Sequence, residues 1–216
     1  MTSRAAEKIR DAERSREAIL AAAERHFAER GYEGATLNDI AAAAGLSRGT
    51  PSYFFGSKDE LYLEVIERSF AERERAARAA FEPVREWCAG VGGADQLGTA
   101  LASAVEDYMA FLTKRSSFVK LVMREELAGG RWVRGRRGRS TAMADAFEAV
   151  LAVAEERGLR RFAVEDAVLL FIALTFAPVS YSNTWMRAAQ RDLRKRRDRR
   201  HHVQLAVTQL MQLLAG

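Results

Sequence analysis

Residues 15–61 read SREAILAAAERHFAERGYEGATLNDIAAAAGLSRGTPSYFFGSKDEL, and the punctuation of this stretch decides the fold. Ser15 to Arg30 sets Leu20, Ala23 and Phe27 at helical spacing, with Ile19 and Ala28 widening the apolar stripe, which predicts a first helix. Gly31 stands where a left-handed residue ends a helix, and Tyr32 follows where it can pack back on Phe27. Thr36 is an N-cap, with Asp39 three residues on, for a short second helix whose body is Ile40 to Ala44. Gly45 ends that helix, Leu46 plugs the crossing, and Ser47 is expected to cap a third helix from about Arg48 to Phe55. Gly56 then breaks the chain. Ser57 and Glu60 form a Ser-x-x-Glu capping box for a long fourth helix with Leu61, Tyr62, Val65, Ile66, Ser69 and Phe70 on one side.

Two short helices joined by a tight glycine-containing turn make a helix-turn-helix candidate, and the small side chains of Ala41 to Ala44 let the helices approach closely. In that motif the second helix enters the major groove with its first residues at the base edges. Arg48, Thr50 and Ser52 are therefore candidates for base contact, with a phosphate contact equally open for Arg48. Thr36 and Ser47 begin helices whose free N–H groups and positive dipole ends suit phosphate, and Lys58 adds a cation. Pro51 lies in the first turn of its helix, where a missing N–H costs only one cap carbonyl its bond, so the helix survives or restarts from Thr50. Phe55 reads as core.

The same stretch resembles the N-terminal DNA-binding domain of the TetR family of bacterial regulators. Gly31, Thr36, Ile40, Ala41, Gly45, Ser47, Gly49, Thr50, Tyr53, Phe55, Ser57, Lys58 and Leu61 all fall in the family's register. The resemblance adds Gly49 and Tyr53 to the DNA-facing set, although packing of Tyr53 against the first helix is equally open. For the rest of the chain it implies an all-helical body that dimerises and binds a ligand. Where the family often has Leu-Tyr-Tyr-His, this chain has Pro51-Ser52-Tyr53-Phe54, so its operator preference is expected to differ.

Beyond Phe70 the chain reads as helices separated near 82–83, 89–94 and 129–138, giving an all-α protein with a helix-turn-helix domain over 1–60 and a dimerisation and sensing domain over 61–216. Val164 to Ala189 is apolar nearly all round, and the last helix carries the stripe Val203, Ala206, Val207, Leu210, Met211, Leu214. Leu170, Leu174, Val203, Val207, Leu210, Met211 and Leu214 are accordingly expected to seal a homodimer. The aromatic and Met surplus suits a small-molecule pocket at Tyr108, Phe111, Met123, Phe147, Phe176 and Trp185, although each of these taken singly reads first as ordinary core.

Charge alone points at the wrong end of the chain. The formal charge is +5, yet residues 1–60 hold nine Lys/Arg against ten Asp/Glu; the excess lies at 131–139 and 191–200. The run RDLRKRRDRRHH reads either as a solvated connection or as a second polyanion-binding patch. Met1 to Arg16 lacks the apolar centre of a secretory signal, and Ala167 to Val179 is too short for a bilayer and contains Pro178, so a cytoplasmic protein with no membrane partner is expected. Cys88 is the single cysteine, and His26, His201 and His202 are scattered, which excludes an internal disulfide and makes a metal centre unexpected. No catalytic or phosphate-loop constellation is visible, so neither enzyme activity nor a cofactor is expected. The expected function is a ligand-responsive regulator, a repressor by resemblance, that binds a palindromic double-stranded operator and is released by an unknown small-molecule effector. A non-regulatory nucleic-acid binder using its arginine-rich segments is the alternative. The fourth helix is expected to be the continuous element that carries the effector signal.

Overall fold

Helix α1 (Thr2–Gly34) shows the local logic of the fold, because its apolar stripe begins only at Ile19 while the helix begins far earlier. We analysed a computed structural model that describes residues 2–130, 132 and 141–215, with side chains from Ala6 onward. Residues 6–14 are exposed on every side and made of helix formers such as Ala6, Glu7, Lys8 and Arg10. Sequence periodicity missed this extension because it buries nothing. The helical geometry ends at Gly31, whose φ of 75° is the expected left-handed break. Tyr32 stacks on Phe27 at 6.4 Å between ring centres.

The described residues divide into two compact units. The first holds α1, α2 (Leu37–Ala43), α3 (Thr50–Phe55) and the start of α4 (Lys58–Ala80), as far as Phe70. Its core joins Ile19, Leu20 and Phe27 to Ile40, Phe55, Leu61, Tyr62, Val65 and Ile66. A boundary at residue 60 would cut this core, because Leu61 to Ile66 supply one wall of it. The same unit takes in residues from Lys120 onward, including the end of α7 (Ser116–Leu127) and Trp132, which no local pattern announced.

The second unit holds the rest of α4, α5 (Glu82–Ala89), α6 (Ala94–Lys114), α8 (Thr141–Ala152), α9 (Val164–Ser180), α10 (Trp185–Ala188) and α11 (Arg196–Ala215). Helix α6 is its axis, packed by α5, α9 and α11 and burying Leu97, Leu101, Val105, Tyr108 and Leu112. Glu74 of α4 accepts from the Ala142 N–H at 2.6 Å and so caps α8, where a carboxylate also suits the helix dipole. Pro178 inside α9 cannot donate to the carbonyl of Leu174. The His202 ring of α11 donates to it instead, at 2.7 Å, which requires the proton on Nε2.

Packing within the protomer already uses part of the face on which the dimer seam is expected. Val203, Ala206, Val207, Leu210 and Leu214 are buried within one protomer against α6 and α9; Leu210 is 0% exposed, and Met211, Leu170 and Leu174 are half-buried. The periodicity identified a face that must be covered, but the protomer's own α6 covers part of it. The apolar side chains left open on these two helices are Leu169 of α9, 64% exposed, and Leu205 of α11, 48% exposed.

Tyr108 is buried beside Phe171 and Phe111, and burial pushes its phenol up to about 12, with Arg73 opposing the shift. The folded value exceeds the ordinary 10.0, so this group's stabilising contribution is complete below pH 10 and is lost as pH climbs toward 12. About 2–3 kcal/mol should disappear over that window. Tyr108→Phe should flatten that part of a urea-stability profile against pH; an unchanged alkaline slope would refute the assignment.

Candidate nucleic-acid interface

The turn between α2 and α3 forms as its residue types require. Thr36 Oγ1 accepts the Asp39 N–H at 3.1 Å, capping α2. At the other end Gly45, with φ of 70°, donates to Ala42 and Leu46 donates to Ala41, at 3.1 and 2.9 Å. That 6→1 and 5→2 pair is a Schellman stop. Asp39 also meets Arg30 at 3.1 Å, so the carboxylate in this first turn is compensated.

Helix α3 starts two residues later than expected from Ser47, and Pro51 supplies the reason. Without an N–H, Pro51 leaves the Ser47 carbonyl to be taken by Thr50 N–H at 3.0 Å in a tighter turn. Gly49 becomes the cap residue with no side-chain bond, and the Ser47 hydroxyl pairs with Thr50 Oγ1 at 2.7 Å. Ser47 therefore does not cap α3 by its side chain. Pro51 and Phe55 turn inward, while Ser47, Arg48, Gly49, Ser52 and Tyr53 are exposed and Thr50 is half-buried. Tyr53 is 83% exposed, which removes the alternative that it packs on α1. Beyond Gly56 the capping box closes as expected, Ser57 N–H to Glu60 Oε2 at 2.8 Å and Glu60 N–H to Ser57 Oγ at 3.2 Å. The Lys58 ammonium sits 4.3 Å from the centre of the Tyr32 ring, and Tyr32 donates to Asp59.

The residues that hold this surface from outside the motif were not legible in sequence. Arg124 of α7 donates through Nε to the Ala28 carbonyl at 2.9 Å and through Nη2 to that of Glu29, satisfying acceptors that the end of α1 leaves free. Glu125 is buried, accepts the Tyr62 hydroxyl at 2.5 Å and takes the Trp132 N–H at 3.1 Å on its other oxygen. Burial and that hydrogen bond raise the Tyr62 phenol well above its ordinary range. Phe27, Tyr32, Tyr62 and Trp132 form one ring cluster. These contacts span about a hundred residues of chain, so no spacing rule could reveal them.

Of the residues expected to line a small-molecule pocket, Met123 falls in one compact unit and the other five in the other. Met123 lies in the first unit, lining a groove with Ala28, Glu29, Lys120 and Arg124. Tyr108 and Phe147 are packed core of the second unit around Phe171, with Phe111 against Tyr108, and Phe176 is half-buried. Trp185 is 74% exposed on the four-residue α10. Aromatic content could flag surplus surface but not its destination. Apart from Trp132, the arginine-rich segment 131–139 lies outside the described residues. Among the described residues no group of three or more His, Cys, Asp or Glu could hold a metal, and no helix is long and apolar enough to cross a membrane.

A capped short helix, a glycine turn and a second helix with an exposed polar leading face, carried on a three-helix core, define a helix-turn-helix protein. The family profile of bacterial regulatory proteins of the tetR type matches residues 19–65, and that of the tetracyclin repressor-like C-terminal domain matches residues 98–209. The chain belongs to the TetR family. It is 47% identical over 66 residues to the HTH-type transcriptional repressor AcnR of Corynebacterium efficiens, a match covering 31% of this chain and 32% of that one. It is 41% identical over 71 residues to the repressor BepR of Brucella suis, covering 32% and 34%. These matches span about a third of the relatives' length. A TetR-family structure from Mesorhizobium loti superposes with a TM-score of 0.68 at 17% identity, over 95% of this chain and 98% of that one, which supports the fold.

Proposed function

We propose that the protein is a dimeric DNA-binding transcription regulator of the repressor kind, which reads a two-fold operator through α3 and is released by a small molecule. The observation that carries this reading is the exposed edge made by the turn before α3 and by α3 itself: Arg48 in the turn and Ser52 and Tyr53 on the helix stand exposed while Pro51 and Phe55 anchor the helix beneath them. Such a helix presents one guanidinium, one hydroxyl and one aromatic edge with little internal use for any of them. Arg48 is assigned to guanine O6 and N7, Ser52 and Thr50 to neighbouring base edges, and Tyr53 to the backbone. The exposed starts of α2 and α3, at Thr36 and at Ser47 with Gly49, are assigned to phosphates. Lys58, held over Tyr32, is assigned to a flanking phosphate.

A two-fold dimer places two such helices on equivalent half-sites, so selection from a random duplex library should enrich an inverted repeat. Enrichment of an asymmetric site without a repeat would overturn the dimeric reading. Arg48→Ala should weaken binding to the selected site by about 5- to 150-fold, corresponding to roughly 1–3 kcal/mol, and relax the preference at one base pair of each half-site. Uniform weakening across all sequences would place Arg48 on phosphate instead.

The effector signal is assigned to α4 acting with α7. Both helices have residues in each compact unit, α4 on either side of Phe70 and α7 on either side of Val119, so α4 is not the sole crossing. Replacing Glu67 and Arg68 by glycine would not test α4 cleanly, because Arg68 meets Glu17 of α1 at 2.6 Å.

A further inference from the structure

The turn leading into α11 concentrates more charge than the whole protein carries. Between Arg187 and Arg200 stand eight Lys/Arg and two Asp, a local charge of +6 against +5 for the entire chain. Both acids are consumed in shaping the turn. Asp198 accepts the Asp192 N–H at 2.9 Å and meets Arg191 at 3.4 Å, while Asp192 receives the Arg194 N–H and Nε, each at 3.0 Å. Arg199 donates to the carbonyl of the buried Leu193 at 3.3 Å and lies 3.5 Å from Glu106. Three arginines and two aspartates are thus bonded within the turn or to its neighbours, although the Arg194 side chain stays 84% exposed. Lys195, Arg196, Arg197 and Arg200, and Arg187 on α10, are exposed and form no ion pair among the described residues.

We propose that this turn is a second, sequence-independent surface for the phosphate backbone of duplex DNA, an inference that rests on the DNA-binding function proposed above. Three observations carry it. The backbone that carries the cations is fixed by the bonds within the turn, so the positions from which they project are set before a polyanion is engaged. Guanidinium outnumbers ammonium, which suits forked contact with phosphate oxygens. Residues 1–60, which hold the helix-turn-helix, carry a net charge of −1, so that segment brings no net positive charge of its own to the polyanion, whereas the turn brings +6. A lipid surface fits less well: the exposed positions of α11 beyond the turn, His201, Gln204, Leu205, Thr208 and Gln209, form no apolar face.

The test compares the full-length protein with a variant carrying Lys195→Gln, Arg196→Gln, Arg197→Gln and Arg200→Gln, leaving the turn-building arginines in place. Binding to a random-sequence duplex is measured from low to moderate salt, together with the thermal melt. The unsubstituted protein should show a steep loss of affinity with salt. The variant should melt at the same temperature, bind the random duplex about tenfold more weakly, and show a log–log salt slope shallower by roughly 0.9 for each phosphate no longer neutralised. Should the fourfold variant fold poorly, Arg196→Gln and Arg200→Gln taken singly should each remove about one phosphate's share of the slope. A charge-conserving variant, Arg196→Lys with Arg197→Lys and Arg200→Lys, should keep most of it.

Equal affinity and slope for the glutamine variants on a random duplex would overturn the proposal, as would turn-dependent binding to anionic phosphatidylserine vesicles without any on DNA. If the unsubstituted protein shows no preference for any selected operator, the regulator reading fails. A loss of random-duplex binding confined to the glutamine variants would still stand for the turn. Conversely, specific operator binding with no effect of the turn would remove this inference alone.

Discussion

Leu210→Asp is expected to unfold the second unit, whereas Leu169→Asp combined with Leu205→Asp should leave it folded and monomeric. Leu210 is fully buried where α11 meets its neighbours, so the substitution removes a packed side chain, at about 2–5 kcal/mol, and adds an unpaired charge to the interior at several kcal/mol more. That sum rivals the roughly 5–15 kcal/mol that holds an ordinary domain together. Leu169 and Leu205 are open to solvent in the protomer, so a carboxylate at either position costs the protomer little. In a dimer that buries these positions, two carboxylates per subunit would face their copies across the two-fold axis. Circular dichroism should show lost helix only for Leu210→Asp, and sedimentation velocity should show halved mass for the double variant. A double variant that sediments as a dimer would move the interface away from the open faces of α9 and α11.

Glu125→Leu should destabilise the first unit by roughly 2–5 kcal/mol, because it strands the Tyr62 hydroxyl and the Trp132 N–H without an acceptor inside the ring cluster. Glu125→Gln keeps one carbonyl oxygen and should cost less than half as much. Tyr62→Phe removes a donor and leaves a carboxylate with one fewer partner, so it should fall between the two. Chemical denaturation of the three variants would establish the order. Operator affinity should fall with stability only for variants partly unfolded under the assay conditions. A Glu125→Leu protein as stable as the unsubstituted one would mean that Glu125 does not hold α4 and Trp132 together.

The residues expected to line a pocket depend on the tertiary structure in a different way. Surplus aromatic residues between helices are a sound compositional signal for a pocket, yet Phe147 and Tyr108 are used up in packing around Phe171, and Trp185 points to solvent. Composition counts side chains, and a cavity is a place where they fail to meet.

What the sequence determined by itself is what local chemistry dictates. Thr36, Gly45, Gly31 and the Ser57–Glu60 box act within one turn of the chain, so their roles at helix ends follow from residue type and spacing. The stripes of α1 and α11 likewise announce that a face must be covered. Only the tertiary structure decides by what. Helix α6 packs on α11, so part of the face expected to seal a dimer is already buried in the protomer; Pro51 and the Ser47 carbonyl together shift the start of α3; Arg124 and Glu125 join the recognition unit from far along the chain. Burial is a property of pairs of surfaces, and periodicity in one segment carries no information about its partner.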